Sequence, residues 1–394
     1  MSMRAILCTI ALSVALMPAL AGCGAQPAGH LLQATASASA SPHRAPSFPV
    51  RAAQLVRGNT GWVLTAGALS MTSNGGQTWT AVTPPGVPAG AIMGVYFQNT
   101  KNGWVVSSSA SNRAQLVISA TTDGGSSWST SPAGRPDPGF ADTDSAHVDF
   151  VDKQHGWVVV TLPGSLSIGV LLHTTDGGRT WQQLPMPTGG PVEFISPNTG
   201  WLTSDGQPGT YASEKFYVTR DGGRTWRADT ATPPAGFRRA QATYTLPAFT
   251  SPTGVLAGIF GGEGARAVLG FYQTNDGGAS WALRATVPMG APQGDVNGFP
   301  AVIGPATWIA VSMDTRQVVT VTGDGADEAS VSPAGLPRGG LGGGSFTTTG
   351  SGWVVSDIDK CAGFKTDCTE TIALFATTDE GAHWSLKLSS TTPG

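Results

Sequence analysis

One short motif places an acidic residue in the same setting many times along the chain. The segment TTDGGRTW at residues 174–181 sets Asp176 between two threonines and two glycines. Recurring carboxylates raise the question of glycoside hydrolysis, which uses a pair of them as acid and nucleophile or base. A catalytic pair is needed once, however, whereas a turn residue is needed in every repeat. We therefore interpret the recurring residues as turn formers: Asn74, Asp123, Asp176, Asp221, Asp276, Asp324 and Asp379.

The residues around each Asp predict a hairpin turn. The Asp or Asn side chain is expected to accept hydrogen bonds from backbone N–H groups two and three residues further on. The glycines permit positive φ where the chain reverses, and the threonine hydroxyl can bond across the turn. The tryptophan that ends the motif is expected to fold back onto the sheet. The copy around Asp324 lacks this tryptophan.

Other arrangements that could carry chemistry are weak. The histidines show no ligand spacing, and no Gly-x-Ser-x-Gly motif is present. Four acidic residues, Asp142, Asp144, Asp149 and Asp152, lie close in sequence without the pattern of a calcium loop. We interpret them as a solvated stretch, with a Ca²⁺ site as the alternative. The sequence therefore predicts no metal, no cofactor and no catalytic residue.

The N-terminus has the form of a targeting segment. Arg4 precedes an apolar stretch that ends in Leu20-Ala21-Gly22-Cys23, which resembles a bacterial lipobox. Residues 1–22 are expected to be a lipoprotein signal peptide, and Cys23 is expected to carry lipid. Residues 23–47 are rich in Ala, Ser and Pro and predict a flexible tether. These features predict a protein anchored by lipid on the extracytoplasmic face of a bacterial membrane.

Two cysteines remain, Cys361 and Cys368. They lie seven residues apart in an exported protein, where disulfides persist. We predict a disulfide between them. A metal site is the alternative, and it would need further ligands nearby.

The elements that position these residues come from an internal repeat. A Gly-Trp pair precedes most copies of the motif, as at Trp62, Trp104, Trp157, Trp201 and Trp353. One repeat, from His147 to Leu184, contains four segments with β-branched residues and period-2 alternation. Four antiparallel strands in each repeat are the blade of a β-propeller. The predicted fold is all-β: a single seven-bladed β-propeller of four-stranded antiparallel blades over residues 48–392, with the tryptophans packed between blades.

The TTDGGRTW repeats resemble Asp-box (BNR) repeats. Together with the preceding Gly-Trp strand, they resemble the propellers of photosystem II stability and assembly factors. Asp-boxes also occur in sialidases and in xyloglucan-active glycosidases, so this resemblance implies the fold more strongly than the function. A sialidase-like site would need an arginine triad, a tyrosine with a glutamate partner and an acid Asp. The sequence does not place such residues together.

The expected function is therefore binding. Long loops on one face of the propeller are the predicted binding surface, because function often lies on loops held by a rigid scaffold. The candidate residues there are Arg135, Tyr211, Arg238, Arg239, Arg266 and Arg338. We expect a monomer that binds a protein or a glycan, as an assembly module for a membrane protein complex. A carbohydrate-active hydrolase or glycan-binding protein is the alternative. The net charge of −3 gives no support to nucleic-acid binding.

Overall fold

The fold is known from a computed structural model. It describes residues 49–393 except 110–114, 134–144, 162–168, 204–215, 230, 238–240, 251, 262–267, 289–300, 305–306, 312–317, 323–326, 332–334, 337–339, 348 and 363–366. One compact unit spans Pro42–Gly394. Cys23 and the predicted signal peptide lie outside the described residues.

The described residues form antiparallel sheets whose strands mostly follow one another in chain order. Sheet 1 contains β1 (Val50–Arg57), β2 (Thr60–Thr65), β3 (Leu69–Thr72) and β4 (Thr80–Ala81). Sheet 2 contains β5 (Ile92–Phe97), β6 (Gly103–Ser108), β7 (Leu116–Thr121) and β8 (Ser129–Pro132). Sheet 3 contains β9 (Ala146–Phe150), β10 (Gly156–Thr161), β11 (Gly169–Thr174) and β12 (Gln182–Leu184). Sheet 4 contains β13 (Val192–Phe194), β14 (Gly200–Leu202), β15 (Phe216–Thr219) and β16 (Arg227–Asp229).

The second half of the chain is less regular. Sheet 5 contains β17 (Gln241–Tyr244), β18 (Ala248–Thr250), β19 (Thr253–Gly261), β20 (Val268–Thr274) and β21 (Ala282–Pro288). Sheet 6 contains β22 (Ala301–Gly304), β23 (Thr307–Val311), β24 (Val318–Thr322) and β25 (Asp327–Val331). Sheet 7 contains β26 (Gly340–Phe346), β27 (Gly352–Ala362), β28 (Asp367–Thr377) and β29 (Ser385–Pro393).

The prediction of a single seven-bladed propeller is wrong. Only six sheets show the Asp-box turn within the described residues, so the propeller has six Asp-box blades: sheets 1 to 5 and sheet 7. Sheet 6 is described by its backbone pairing, and Asp324 lies outside the described residues.

Sheet 5 also departs from four strands. Its first strand is split into β17 and β18, which both pair with the nine-residue β19. Pro247 lies between the two pieces and has no N–H to donate to a ladder.

The core lies between neighbouring sheets. On β10, Trp157 and Val159 join a cluster with Phe194 of sheet 4, whereas Val158 and Val160 join one with residues of sheet 2. Both faces of the strand are therefore covered, which explains why the segment GWVVVT is apolar throughout. The first and last sheets also pack together, since β1 contacts β26 and β27.

Candidate functional site on the inner strands

The first strands of neighbouring sheets contact each other and surround the centre of the propeller. Contacts join β5 to β9, β9 to β13 and β26 to β1. A polar residue occupies the same place on five of these strands, paired in register with the tryptophan of the Gly-Trp strand. These residues are Gln54, Tyr96, Asp149, Glu193 and Ser345.

Three of these polar side chains bond to the backbone of the next sheet. The Ser345 hydroxyl accepts the N–H of Leu55 at 2.7 Å, and Asp149 Oδ2 accepts the N–H of Phe194 at 2.6 Å. The Tyr96 hydroxyl donates to the carbonyl of Phe150 at 3.1 Å. The inner polar residues therefore hold neighbouring sheets together.

The ionisable residues around Asp149 on the inner strands have shifted pKa values. Burial raises the pKa of Asp149 to about 7, although two backbone N–H groups favour its charged form. Burial and then the charge of Asp149 raise the pKa of Glu193 well above its ordinary value. Burial also raises the pKa of Tyr96, and both carboxylates add to the effect. Burial lowers the pKa of His147, whose Nε2–H donates to the carbonyl of Val192 at 2.6 Å.

Tyr96, Asp149 and Glu193 are the residue types of a sialidase-like site, but their geometry does not support that chemistry. The Tyr96 hydroxyl is a hydrogen-bond donor with a raised pKa, whereas a nucleophile needs a lowered pKa or an adjacent base. No arginine or lysine within the described residues acts on the charge of this cluster. The interpretation of Asp149 as part of a solvated stretch was wrong, since this residue is buried. Its place in the sequence beside Phe150, which matches that of Tyr96 beside Phe97 and Glu193 beside Phe194, was the signal that it faces the central channel.

The Asp-box turns lie away from this layer. In sheet 3, the Thr174 hydroxyl donates to Asp176 and accepts the N–H of Gly178. Asp176 Oδ1 accepts the N–H groups of Arg179 and Thr180, which are three and four residues on. The predicted bond from the N–H three residues on is present, but the predicted bond from the N–H two residues on is not, because the Thr174 hydroxyl accepts the N–H of Gly178. These bonds lower the pKa of Asp176 to about 2 against the effect of burial.

The tryptophans of the Gly-Trp strands pack between blades, as predicted. Trp157 stacks on Phe194 of sheet 4 with ring centroids 3.5 Å apart, and its Nε1 donates to the carbonyl of Gly222 at 3.0 Å. Trp104 stacks on Phe150 of sheet 3 in the same way, with centroids 3.6 Å apart. Parallel packing of this kind joins consecutive blades.

A groove of about 250 Å³ lies between sheets 1 and 7, lined by Asn59, Trp353, Asp379, His383 and Lys387 among others. It is smaller than the usual site for a drug-sized ligand. Within the described residues, no group of three or more His, Cys, Asp and Glu side chains is arranged to hold a metal ion. Nor does this part of the chain contain a helix with the length and apolarity needed to span a bilayer.

All six predicted binding-face residues lie outside the described residues. These are Arg135, Tyr211, Arg238, Arg239, Arg266 and Arg338. The backbone of sheet 7 places Cys361 directly opposite Cys368 on adjacent strands. The disulfide between them stays a prediction.

Comparisons with known proteins agree with the fold. The family model described as Photosynthesis system II assembly factor YCF48 matches residues 86–243. Photosystem II assembly lipoprotein Ycf48 of Synechococcus sp. (strain CC9902) is 30% identical over 135 residues, which are 34% of this chain and 35% of that relative. The match thus spans well under two thirds of the curated relative. The resemblance to BNR propellers of the photosystem II assembly factor type is confirmed.

Two solved structures match this chain over most of its length. The structure titled "YCF48 bound to D1 peptide" is 18% identical, with a TM-score of 0.44, and the match covers 75% of this chain and 81% of that chain. An ancestral GH74 enzyme is 12% identical, with a TM-score of 0.50, and the match covers 88% of this chain and 55% of that chain. At this identity the second likeness concerns the fold alone.

Proposed function

We propose that this propeller is a membrane-tethered, extracytoplasmic module that binds a protein and assists the assembly or stability of a membrane protein complex. The observation that carries the proposal is the match of residues 86–243 to the assembly-factor family. That segment includes sheets 2, 3 and 4, and therefore the inner-strand residues Tyr96, Asp149 and Glu193.

The inner-strand geometry supports binding over catalysis. The side chains of Tyr96 and Asp149 form hydrogen bonds to the backbone of the next sheet. A reaction that used either side chain would have to break a bond that joins two sheets. The proposed binding surface is the long-loop face that carries Arg238 and Arg239. The proposed tether is residues 23–47, with lipid on Cys23. The name of the Synechococcus relative, an assembly lipoprotein, supports both parts of the proposal.

The test is capture of partners from the native membrane by crosslinking to the lipidated, full-length protein. Arg238→Glu with Arg239→Glu reverses the charge of the proposed face. Arg179→Glu with Arg224→Glu is the matched control, because both arginines are exposed on Asp-box turns. We expect the first double variant to lose at least tenfold of a specific crosslinked partner, while the control keeps it. Equal capture by both would contradict the proposed face.

The tether is tested separately. Replacing residues 1–22 by a cleavable secretory signal peptide, together with Cys23→Ser, should release the protein from the membrane fraction while leaving its folded domain intact by circular dichroism. A protein with both changes that still sediments with membranes in high salt would contradict lipid anchoring. If purified wild-type protein released reducing sugar from a glycan, the hydrolase would replace the binding module as the better proposal.

A further inference from the structure

The junction between sheets 3 and 4 is held on its inner edge by two ionisable side chains of β9. Asp149 Oδ2 accepts the N–H of Phe194 at 2.6 Å, and His147 Nε2–H donates to the carbonyl of Val192 at 2.6 Å. Glu193 lies between these two partners on β13. The inner edge of this junction therefore carries three groups that can change charge.

The surroundings of Asp149 make a double negative charge costly. Asp149 is buried, with 4% of its surface exposed. The charge of Asp149 acts on Tyr96 from β5 and on Glu193 from β13, and His147 lies two residues away on the same face of β9. Burial lowers the pKa of His147, which disfavours a positive charge there. No arginine or lysine of the described part of the chain offsets the charge of Asp149 or Glu193, so the two carboxylates repel each other when both are ionised.

The equivalent junction between sheets 7 and 1 lacks this property. There the Ser345 hydroxyl accepts the N–H of Leu55 at 2.7 Å, from the same position on the first strand. A serine hydroxyl does not titrate in the range of protein stability. In both junctions a first-strand side chain accepts a backbone N–H of the next sheet. The acceptor can ionise between sheets 3 and 4, where it is Asp149, but not between sheets 7 and 1, where it is Ser345.

We propose that the junction of sheets 3 and 4 is a pH-sensitive contact, which is closed while Asp149 or Glu193 is protonated and loosened when both are ionised. This inference is independent of the proposed function, because it concerns the opening of a blade junction and not the identity of a partner. Its consequence is that the inner edge of the propeller opens more often as the pH rises above neutral.

The direction follows from linkage. The pKa of Asp149 in the folded state, about 7, lies above its ordinary value near 4, so the folded state binds more protons between these limits. The stabilisation is complete below about pH 4 and is lost as the pH rises through 7. His147 and His173 act in the opposite direction, since loss of contact with water lowers the pKa of each. The pH dependence of the melting temperature of the whole protein would contain the effects of Asp149 and of both histidines together. A measurement at single residues separates them.

The test is amide hydrogen exchange at single residues from pH 5 to 9, expressed as protection factors that correct for the intrinsic rate. The Phe194 N–H reports the pH-sensitive contact, and the Leu55 N–H reports the matched junction that does not titrate. We expect protection of Phe194 to fall at least tenfold relative to Leu55 between pH 6 and 9. This is within the limit of about tenfold per pH unit for each titrating group.

Asp149→Asn keeps an acceptor for the Phe194 N–H and removes the titration, so its Phe194 protection should follow the profile of Leu55. Glu193→Gln is the second variant, which removes the repulsion and should flatten the same profile even if Asp149→Asn does not fold. The proposal is overturned if Phe194 and Leu55 share one pH profile in the wild-type protein. It is also overturned if the Phe194 profile persists in the variant that folds.

Discussion

At the scale of single residues, the Asp-box is a turn held by a threonine and an acidic residue together. The Thr hydroxyl donates to the side-chain oxygen in all six described copies, at 2.6 to 2.9 Å. Asn74 makes the same bond in sheet 1 and accepts the N–H of Thr78 at 2.9 Å. An amide can therefore replace the carboxylate here, which the sequence predicted from the single Asn copy.

Replacement of Asp176 tests this turn. Asp176→Ala removes the acceptor of the Arg179 and Thr180 N–H groups, and we expect a loss of about 1–2 kcal/mol in the free energy of unfolding. Asp176→Asn should lose less, as Asn74 indicates. Urea denaturation at pH 7 measures both values. A loss in Asp176→Asn as large as that in Asp176→Ala would contradict the role of the acceptor.

The same residue has a defined pH dependence. Because the pKa of Asp176 is lowered to about 2 from an ordinary value near 4, its contribution is present above pH 4 and is lost as the pH falls toward 2. The difference in urea midpoint between wild type and Asp176→Asn should therefore shrink between pH 5 and pH 3. A difference that stays constant would contradict the lowered pKa.

The sequence predicted the Asp-box turns and indicated that Asp149 and Glu193 face the central channel, but it did not predict how these two carboxyls ionise, for a physical reason. A turn residue is identified by its near neighbours in sequence, whereas the state of Asp149 depends on residues about 50 positions away, Tyr96 and Glu193. The alternation of polar and apolar residues in the sequence can place Asp149 on a strand. It cannot show whether an arginine or lysine from another sheet faces the carboxylate of Asp149.

At the scale of the strand and turn, the junction between sheets 4 and 5 differs from its neighbours. Trp104 and Trp157 each donate to a glycine carbonyl in the Asp-box of the next sheet. Trp201 is buried and its Nε1 has no partner. The carbonyls of Gly277 and Gly278 instead accept Arg220 Nη1 and Nη2, at 3.4 and 3.0 Å.

Arg220 is thus expected to act as the clamp at this junction. Its guanidinium also lies 5.6 Å from the centre of the Trp201 ring. Arg220→Ala should reduce the free energy of unfolding by about 1–2 kcal/mol, from the lost charged hydrogen bonds and the cation–π contact at an exposed site. Arg220→Lys should be intermediate, since an ammonium cannot reach two carbonyls in one plane.

Arg224→Ala is the matched control for the clamp. Arg224 lies in the same turn, but its Nη1 donates to Asp221 within that turn at 2.8 Å. Chemical denaturation should show less than about 0.5 kcal/mol of change for this exposed residue. If Arg220→Ala and Arg224→Ala cost the same, Arg220 does not hold the two sheets together.

The two cysteines predicted to form a disulfide lie in sheet 7. Its strands β27 and β28 have 11 residues each, against six each in β10 and β11 of sheet 3. Cys361 and Cys368 pair in register near the tip of this hairpin. We expect a disulfide in protein exported to an oxidising compartment, detected as a linked peptide by mass spectrometry without reduction. Cys361→Ser should lower the unfolding midpoint, and free thiols in the exported wild type would contradict the prediction.

At the scale of the whole molecule, the sequence predicted repeated four-stranded sheets but overestimated their regularity. The period of the repeat is clear where the Asp-box and Gly-Trp motifs are both intact, as in sheet 3. It is less informative where Pro247 divides a strand, or where the copy of the motif around Asp324 has no tryptophan. The spacing of the motif makes such degraded copies look equivalent to the intact ones. Spacing alone does not show whether the hydrogen bonds of the Asp-box turn are formed.

Closure between the first and last sheets depends on a close approach at Gly61. In other blades, the glycine of the Gly-Trp pair lies under an aromatic ring of its own sheet; a Cβ on Gly156 would lie 2.2 Å from Phe150. In sheet 1, Leu55 takes the aromatic position, and a Cβ on Gly61 would lie 2.5 Å from Trp353 of sheet 7. A methyl group added at Gly61 would therefore push directly against Trp353 and disturb the packing between the first and last sheets.

Gly61→Ala should cost about 1–3 kcal/mol through overpacking against the Trp353 ring. Gly90→Ala is the control, because a Cβ there meets nothing within 4 Å. We expect a lower unfolding midpoint for Gly61→Ala and faster hydrogen exchange at the Leu55 N–H, which bonds to Ser345 across the closure. Gly156→Ala should also destabilise the protein, but without faster exchange at Leu55, since its clash lies within sheet 3. Equal exchange at Leu55 in the Gly61 and Gly156 variants would show that the ring is not closed through this contact.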